Sequence, residues 1–372
     1  MNIAFYAPLK PPNHPVPSGD RRMARQLIKA LSLTSATVSV ASTFRSWEGH
    51  GDKERQNRLE HVGDLIFRRL MRRYRARYLV VPDLWFTYHL YHKSPDWLGP
   101  RISQEFGIPY VVAEASFAPK QSTGKWAWWH TVVGQSLAAA SSIVHLNPVD
   151  IACVEACMSE DVNRFQLLPF LDDFPRILSA KKVRAVYAGQ YGLDLSRPWL
   201  LTVAMMRYDS KLSSYRQLAA VLSTLKHVDW ELLIAGDGVA RDVVEDVFAS
   251  LSDRVHFLGN ISSLELDRAY SASDLFVWPA INEAYSMAIL EAQAAGLPAV
   301  VGDQGGVSTI VVDGETGLLV DPFDVPAFSS ALLRLLSAVD QRKAMGDRAV
   351  GKIRKYHSLA EASKQLRRAL RT

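Results

Sequence analysis

Apolar residues along this chain fall into short runs separated by longer stretches in which they recur every three or four positions. In the first half the runs are NIAFYAP, ATVSVAS, YLVVPDLWFTY, IPYVVAEA and SSIVHLN, with amphipathic stretches such as Arg21 to Leu31 between them. The pattern predicts strands alternating with helices. A polar, turn-rich stretch, AGQYGLDLSRP (188–198), interrupts the rhythm, which restarts with WLLTVAMM, WELLIAGDG, RVHFLGN, DLFVWPA, LPAVVGD and TGLLVD. Short apolar strands joined by helices imply parallel sheets covered on both faces. The prediction is therefore α/β: two doubly wound Rossmann-like domains, 1–187 and 188–352, facing a central cleft. Ligands of such sheets bind outside the carboxyl ends of the strands. The last stretch, AMGDRAVGKIRKYHSLAEASKQLRRALRT, reads as helices broken near Tyr356 to Ser358, with 353–372 returning to the N-terminal domain.

One segment carries candidate chemistry. Between Phe276 and Gly306 two acids, Glu283 and Glu291, stand eight positions apart. Gly296 and Pro298 stop a helix and Ser286 is placed to cap it, so a helix over Met287 to Ala295 leaves Glu283 in the preceding loop and Glu291 on the helix. The helix N-terminus offers unpaired N–H groups, and the small residues Ala284, Ser286 and Ala288 leave that backbone approachable, which suits a phosphate. Acids on either side of it can accept hydrogen bonds from hydroxyls at both ends of a nucleotide sugar. An amphipathic surface helix with two solvated acids fits the same residues equally well.

These motifs, in their order, resemble the retaining glycosyltransferases of family 4, which have the GT-B fold. The marks are LLIAGDG (232–238), VHFLGNISSLELDRAYSASDLFVWPA, the glutamate pair in NEAYSMAILEAQAAGLPAVV, and GGVSTIVVDGETGLLVDPFD. They concentrate in 199–336, while the N-terminal half agrees mainly in rhythm. The resemblance implies a nucleoside-diphosphate sugar as co-substrate, with no other cofactor. It implies that Glu283 meets the sugar hydroxyls, that Glu291 meets the ribose, and that Arg207 and Lys211 hold the diphosphate. Ala284, Tyr285, Ser286, Met287 and Ala288 would supply backbone contacts, with Gly236 and Gly19 among the donor-contacting positions. Where the family often has paired glycines after the first strand, this chain has Gly19 followed by Asp20. Where the family places a histidine at the end of IPYVVAEAS, Glu114, Ala115 and Ser116 stand here; His89 and His92 occupy an earlier strand end, and His89 is the candidate for the cleft. No Asp-x-Asp triplet is present, so catalysis is expected to be metal-independent, with the two cations and the helix N-terminus in the metal's place. A nucleotide-sugar epimerase and a noncatalytic nucleotide-binding or membrane-docking scaffold are the alternatives.

Charge changes the picture once more. The net charge of +5 divides into +8 over 1–185, −11 over 186–341 and +8 over 342–372. Arg68, Arg69, Arg72, Arg73, Arg75 and Arg77 crowd a helical stretch whose apolar positions include Leu59, Val62, Leu65, Ile66, Leu70 and Met71. Such a face suits an anionic membrane bearing a lipid-linked or envelope acceptor, with Lys352, Arg354, Lys355, Arg367 and Arg368 extending it. No stacking or groove-reading motif points to nucleic acid. The opening MNIAFYAPLK reads as a strand rather than a signal peptide, and no apolar run reaches the roughly 20 residues that span a bilayer. A cytoplasmic protein, peripheral on the inner face of the membrane, is expected. Cys153 and Cys157 would share one helix face, and no zinc set accompanies them.

Overall fold

A computed structural model describes every residue except 17, 159, 371 and 372. Two compact units are present: Met1–Leu168 with Leu359–Thr372, and Pro169–Ser358. The first contains β1 (Asn2–Tyr6), β2 (Thr37–Ser42), β3 (Leu84–Leu90), β4 (Tyr110–Ala115), β5 (Ser142–His145) and β6 (Asn163–Gln166). They form one parallel sheet in the order β2-β1-β3-β4-β5-β6. The second contains β7 (Trp199–Val203), β8 (Glu231–Ala235), β9 (Val255–Gly259), β10 (Leu275–Trp278), β11 (Ala299–Gly302) and β12 (Gly317–Val320). Its order, β12-β11-β10-β7-β8-β9, is the doubly wound 3-2-1-4-5-6 arrangement counted from β7.

The central strands are apolar on both faces because helices cover both. Every residue of β5, β8, β10 and β11 is buried, and so are Trp199, Leu200 and Leu201 of β7. The edge strand β6 departs from this rule: of NRFQ only Phe165 is half-buried, so it carries no apolar signature. Proline sets the start of β3. The stretch beginning at Tyr78 becomes strand only at Leu84, beyond Pro82.

The unit boundaries differ from the expected ones for identifiable reasons. The helix Ala180–Tyr191 packs on the second unit: Tyr187 donates its hydroxyl to Glu265 O (2.9 Å), and Arg184 reaches Asp274 (2.8 Å) and lies over the Trp199 ring. The first unit therefore ends at Leu168 rather than 187, and 192–198 leads from that helix into β7. The helix Val339–Tyr356 buries Met345, Ala349 and Ile353 in the second unit, so the crossing to the first falls at 358/359 rather than 353. The helix Leu359–Ala369 then buries Ala362, Leu366 and Ala369, and Ser142 donates to Ala369 O (3.2 Å). The cysteines do not share a helix face, because the helix Ile151–Glu155 stops before Cys157; both thiols are free and half-buried.

His357 closes the second unit, fully buried with Nδ1 2.6 Å from Pro169 O. Burial depresses its pKa from 6.5 to about 4. Between those values the unfolded chain binds a proton that the folded chain refuses, so stability must fall as pH drops from 6.5 and level off near 4. The loss should be roughly 3 kcal/mol. Urea unfolding at pH 7 and pH 4.5 should show it, with a shallower dependence in His357→Gln; equal dependence in both proteins would contradict the assignment.

Candidate functional site

The order of the second sheet locates a ligand crevice before any residue is considered. Strands β7 and β10 are neighbours whose connections leave in opposite directions, and ligands bind outside the carboxyl ends at such a point. The two strands pair only at Leu200–Leu275 and Leu201–Phe276 before they part. Beyond that the Thr202 hydroxyl, donating to Val277 O (2.6 Å), bridges them. The loop leaving β7 carries Arg207 and leads into the helix bearing Lys211, and the loop leaving β10 carries Glu283.

Lys211 and Glu283 meet there. Lys211 is the second residue of the helix Ser210–Thr224, whose first turn is capped by the Asp209 side chain accepting from Lys211 N (2.8 Å). Its ammonium pairs with Glu283 Oε1, both side chains being largely buried. The same oxygen accepts from Trp278 Nε1 (3.1 Å), and the Trp278 ring lies 5.7 Å from the Lys211 ammonium. Trp278 is fixed in turn against Tyr215, ring centroids 5.0 Å apart. Two donors thus fix one carboxylate oxygen of Glu283.

The Glu283 loop is held in an unfavourable backbone shape. Ala280 and Asn282 both have φ of 54°, a left-handed conformation that is uncommon outside glycine and asparagine. Bonds from neighbouring elements impose it: Ile281 N donates to Ser214 Oγ (3.0 Å), Glu283 N to Ala280 O (3.2 Å), and Gly306 N to Ala284 O. Backbone strain maintained by its surroundings is characteristic of ligand-contacting loops.

The helix Met287–Ala294 begins next, one residue shorter than expected. Ser286 occupies the cap position but makes no side-chain capping bond, so no hydroxyl covers the first N–H groups. The segment from Ala284 through Tyr285, Ser286, Met287 and Ala288 thus runs directly from Glu283 into an uncapped helix terminus, an arrangement fitted to an anion. Glu291, five residues into the helix, is buried and accepts from the Tyr270 hydroxyl (2.9 Å).

Arg207 behaves differently from Lys211. Half-exposed, it extends toward Asp209 (3.5 Å). Gly236 has a backbone reason for being glycine: a Cβ there would stand 1.9 Å from Ala204 O. It locks the loop after β8 onto the loop that leads to Arg207, with Met206 N donating to Asp237 O (2.9 Å). Gly19 and His89 lie in the first unit. Gly19 opens the helix Gly19–Ser32, where a Cβ would meet nothing within 4 Å, and His89 Nδ1 lies 3.0 Å from Asp20.

Sequence reasoning missed Trp278 and Tyr270. Trp278 ends the apolar run LFVW and reads as core, and only its indole N–H reveals a second role; Tyr270 lies on a separate helix, Ser263–Ala272. Removing the buried acid should separate binding from chemistry. If Glu291 meets the ribose, as the resemblance implies, Glu291→Ala should raise the dissociation constant for nucleotide about tenfold with kcat little changed, since a hydroxyl contact remote from the reacting bond acts equally on ground and transition states. Calorimetry showing unchanged nucleotide affinity would remove Glu291 from the binding site.

Comparison with known proteins gives a family match for part of the second unit. Residues 197–338 match the model of the glycosyl transferases group 1 family. An alpha-D-kanosaminyltransferase of Streptomyces kanamyceticus is 34% identical over 185 residues, 49% of this chain and 47% of that protein. The chain thus spans about half the length of this relative. Sucrose-phosphate synthase from Thermosynechococcus elongatus superposes with a TM-score of 0.75 at 20% identity, over 98% of this chain and 97% of its own. Anabaena HepE in complex with UDP-glucose superposes with a TM-score of 0.72 at 14% identity, over 100% and 99%. At these identities the structures establish the architecture alone. The fold is GT-B, and residues 197–338 form a domain of the glycosyl transferases group 1 family.

Proposed function

We propose that the protein is a retaining glycosyltransferase that moves a sugar from a nucleoside-diphosphate donor to an acceptor held by the first unit. The observation that carries the reading is the Lys211–Glu283 pair at the β7/β10 switch point, beside an uncapped helix N-terminus. On donor binding, Lys211 exchanges its bond to Glu283 for the diphosphate, and Arg207 turns from Asp209 to the same group. Their charges offset the charge that builds on the leaving nucleotide, with the helix N-terminus in place of a metal. Glu283, released from Lys211 and still held by Trp278, accepts hydrogen bonds from the sugar, while Glu291 takes the ribose. His89 stands on the acceptor side.

The test is a panel of nucleotide sugars, beginning with UDP-glucose, the ligand bound by HepE. Slow release of nucleotide without added metal supports the transferase. A changed sugar would make the protein an epimerase, and binding without turnover a scaffold.

The basic helix supports a second element of the proposal, attachment to an anionic membrane. Among the described residues no helix is long and apolar enough to cross a membrane. The helix Lys53–Arg75 buries Leu70 and Met71 in the first unit's core, while Leu65 of the same stripe is exposed. Arg68, Arg69, Arg72, Arg73, Arg75 and Arg77 are all exposed, followed by exposed Tyr78 and Val80. Asp64 and Glu105 engage Arg68 and Arg75. Lys352 does not extend this face: half-buried in the second unit, it donates to Thr309 O (2.9 Å) and Ile310 O (2.8 Å). Each arginine near an anionic surface contributes about 1 kcal/mol, weakened by salt. Co-sedimentation with phosphatidylserine vesicles should therefore exceed that with neutral vesicles at low salt and fall in Arg69→Glu, Arg72→Glu, Arg73→Glu. Equal binding to both vesicle types would end this part of the proposal.

A further inference from the structure

The loop that carries Glu283 rests on a turn that is not stable alone. Gly305 lies against the loop, where a Cβ would stand 1.9 Å from Glu283 O, and Gly306 N donates to Ala284 O. Gln304 reaches the same loop through Oε1, which accepts from Asn282 N (3.4 Å). These three residues lead into the helix Val307–Ile310, a single turn of four residues. An isolated turn fixes several dihedrals for very few hydrogen bonds, so its geometry depends on side chains that close it.

Two side chains do so. The Thr309 hydroxyl donates to Gly306 O (2.6 Å), tying the end of the turn to its start. From the helix Val339–Tyr356, Lys352 donates through Nζ to Thr309 O (2.9 Å) and Ile310 O (2.8 Å), carbonyls that a helix end leaves without partners of its own. The helix bearing Lys352 is closely seated: a Cβ on Gly346 would stand 2.1 Å from Gly296 O, so it lies directly on the chain that ends the helix Met287–Ala294. Burial pushes the Lys352 ammonium down to about 8, with Glu315 opposing the shift. His357, the other titratable neighbour, is neutral above its depressed pKa of about 4. Arg348, one helical turn earlier, donates to Glu315 O (2.8 Å) and so grips the chain beyond the turn.

We infer that Lys352 is a positioning residue: its ammonium clamps the carboxyl end of the Val307–Ile310 turn and, through Thr309, Gly306 and Gly305, sets where Glu283 stands. Its effect on turnover rests on the transferase reading; the clamp itself does not. A neutral lysine keeps N–H groups but loses the charge that roughly doubles the strength of such bonds, so the clamp weakens above pH 8.

Hydrogen exchange in the full chain reads the clamp without turnover. The amides of Ile281, Glu283 and Gly306 are all bonded within this assembly, and in Lys352→Met they should exchange about tenfold faster than in the unmodified protein. Thr309→Val removes the bond to Gly306 O at nearly constant side-chain size and should act in the same direction, testing the path from its other end. Thermal unfolding would confirm that both variants fold. In steady state both should lower kcat about tenfold with Kd for UDP nearly unchanged. The fall of kcat above pH 8 in the unmodified protein should be missing in Lys352→Met. Arg348→Met is the control, with neither kcat nor exchange at those amides altered. Unchanged exchange in both folded variants, a kcat loss no larger than in Arg348→Met, or an alkaline fall that persists in Lys352→Met would overturn the inference. Faster exchange in a protein that turns over no nucleotide sugar would support the clamp while removing the transferase reading.

Discussion

Glu283→Gln should lower kcat at saturating donor by about 10²-fold, equivalent to roughly 2.7 kcal/mol of transition-state stabilisation. The substitution keeps the shape of the side chain and an oxygen able to accept from Trp278, but removes the charge. On the proposed mechanism that charge matters most as the departing nucleotide leaves the sugar ring electron-poor, so its effect falls on the chemical step rather than on the ground state. The free protein supplies an internal control: the same charge is the partner of Lys211. Neutralising it frees Lys211 for the diphosphate, so donor affinity should hold or rise while turnover collapses. A merely structural ion pair would give the reverse, a lower melting temperature with unchanged kcat. Near wild-type turnover in a well-folded variant would remove Glu283 from the mechanism.

That contrast depends on geometry the sequence only half reveals. The second unit was legible because its strands are short, apolar and bounded by glycine, proline or acid, and all six expected runs contain strands. Strand β6 escaped because an edge strand with one inward-facing phenylalanine lacks the burial that produces a pattern. The helix Ala180–Tyr191 was assigned to the wrong unit because amphipathicity shows that a helix has a buried face, not which sheet covers it. At the site, Glu283 and Lys211 could be named from their positions after strands, but their mutual contact is long-range. Trp278 was hidden by its own hydrophobicity. Ser286 illustrates the opposite failure: residue type and position predicted a cap, and the hydroxyl makes no such bond, which leaves the helix terminus open to a ligand. The left-handed residues Ala280 and Glu114 carry no warning in their identities, since strain at such positions is imposed by the surrounding packing.

The packing that fixes Glu283 yields the second large effect. Gly305 has φ of +56°, and a Cβ built on it would stand 1.9 Å from Glu283 O and 3.1 Å from Ala284 O. Both obstacles are backbone atoms, so no side-chain rotation relieves the contact; the Glu283 loop or the Gly305 turn must move by something on the order of 1 Å. Displacements of that size at a reacting centre can lower rates by about 10²-fold. Gly305→Ala should therefore reproduce the kcat loss of Glu283→Gln without altering the carboxylate's charge. Nucleotide affinity, set on this reading by Glu291 further along the helix, should change much less. Gly314 supplies the control for backbone strain. It is also left-handed, with φ of +71°, but a Cβ there would meet nothing within 4 Å. Gly314→Ala should cost about 1 kcal/mol of stability and leave kcat intact. Steady-state kinetics on the two alanine variants, alongside their melting temperatures, would separate displacement from strain. If Gly305→Ala kept wild-type turnover while losing no more stability than Gly314→Ala, the loop would have accommodated the methyl group elsewhere, and the exact seat of Glu283 would not limit the reaction.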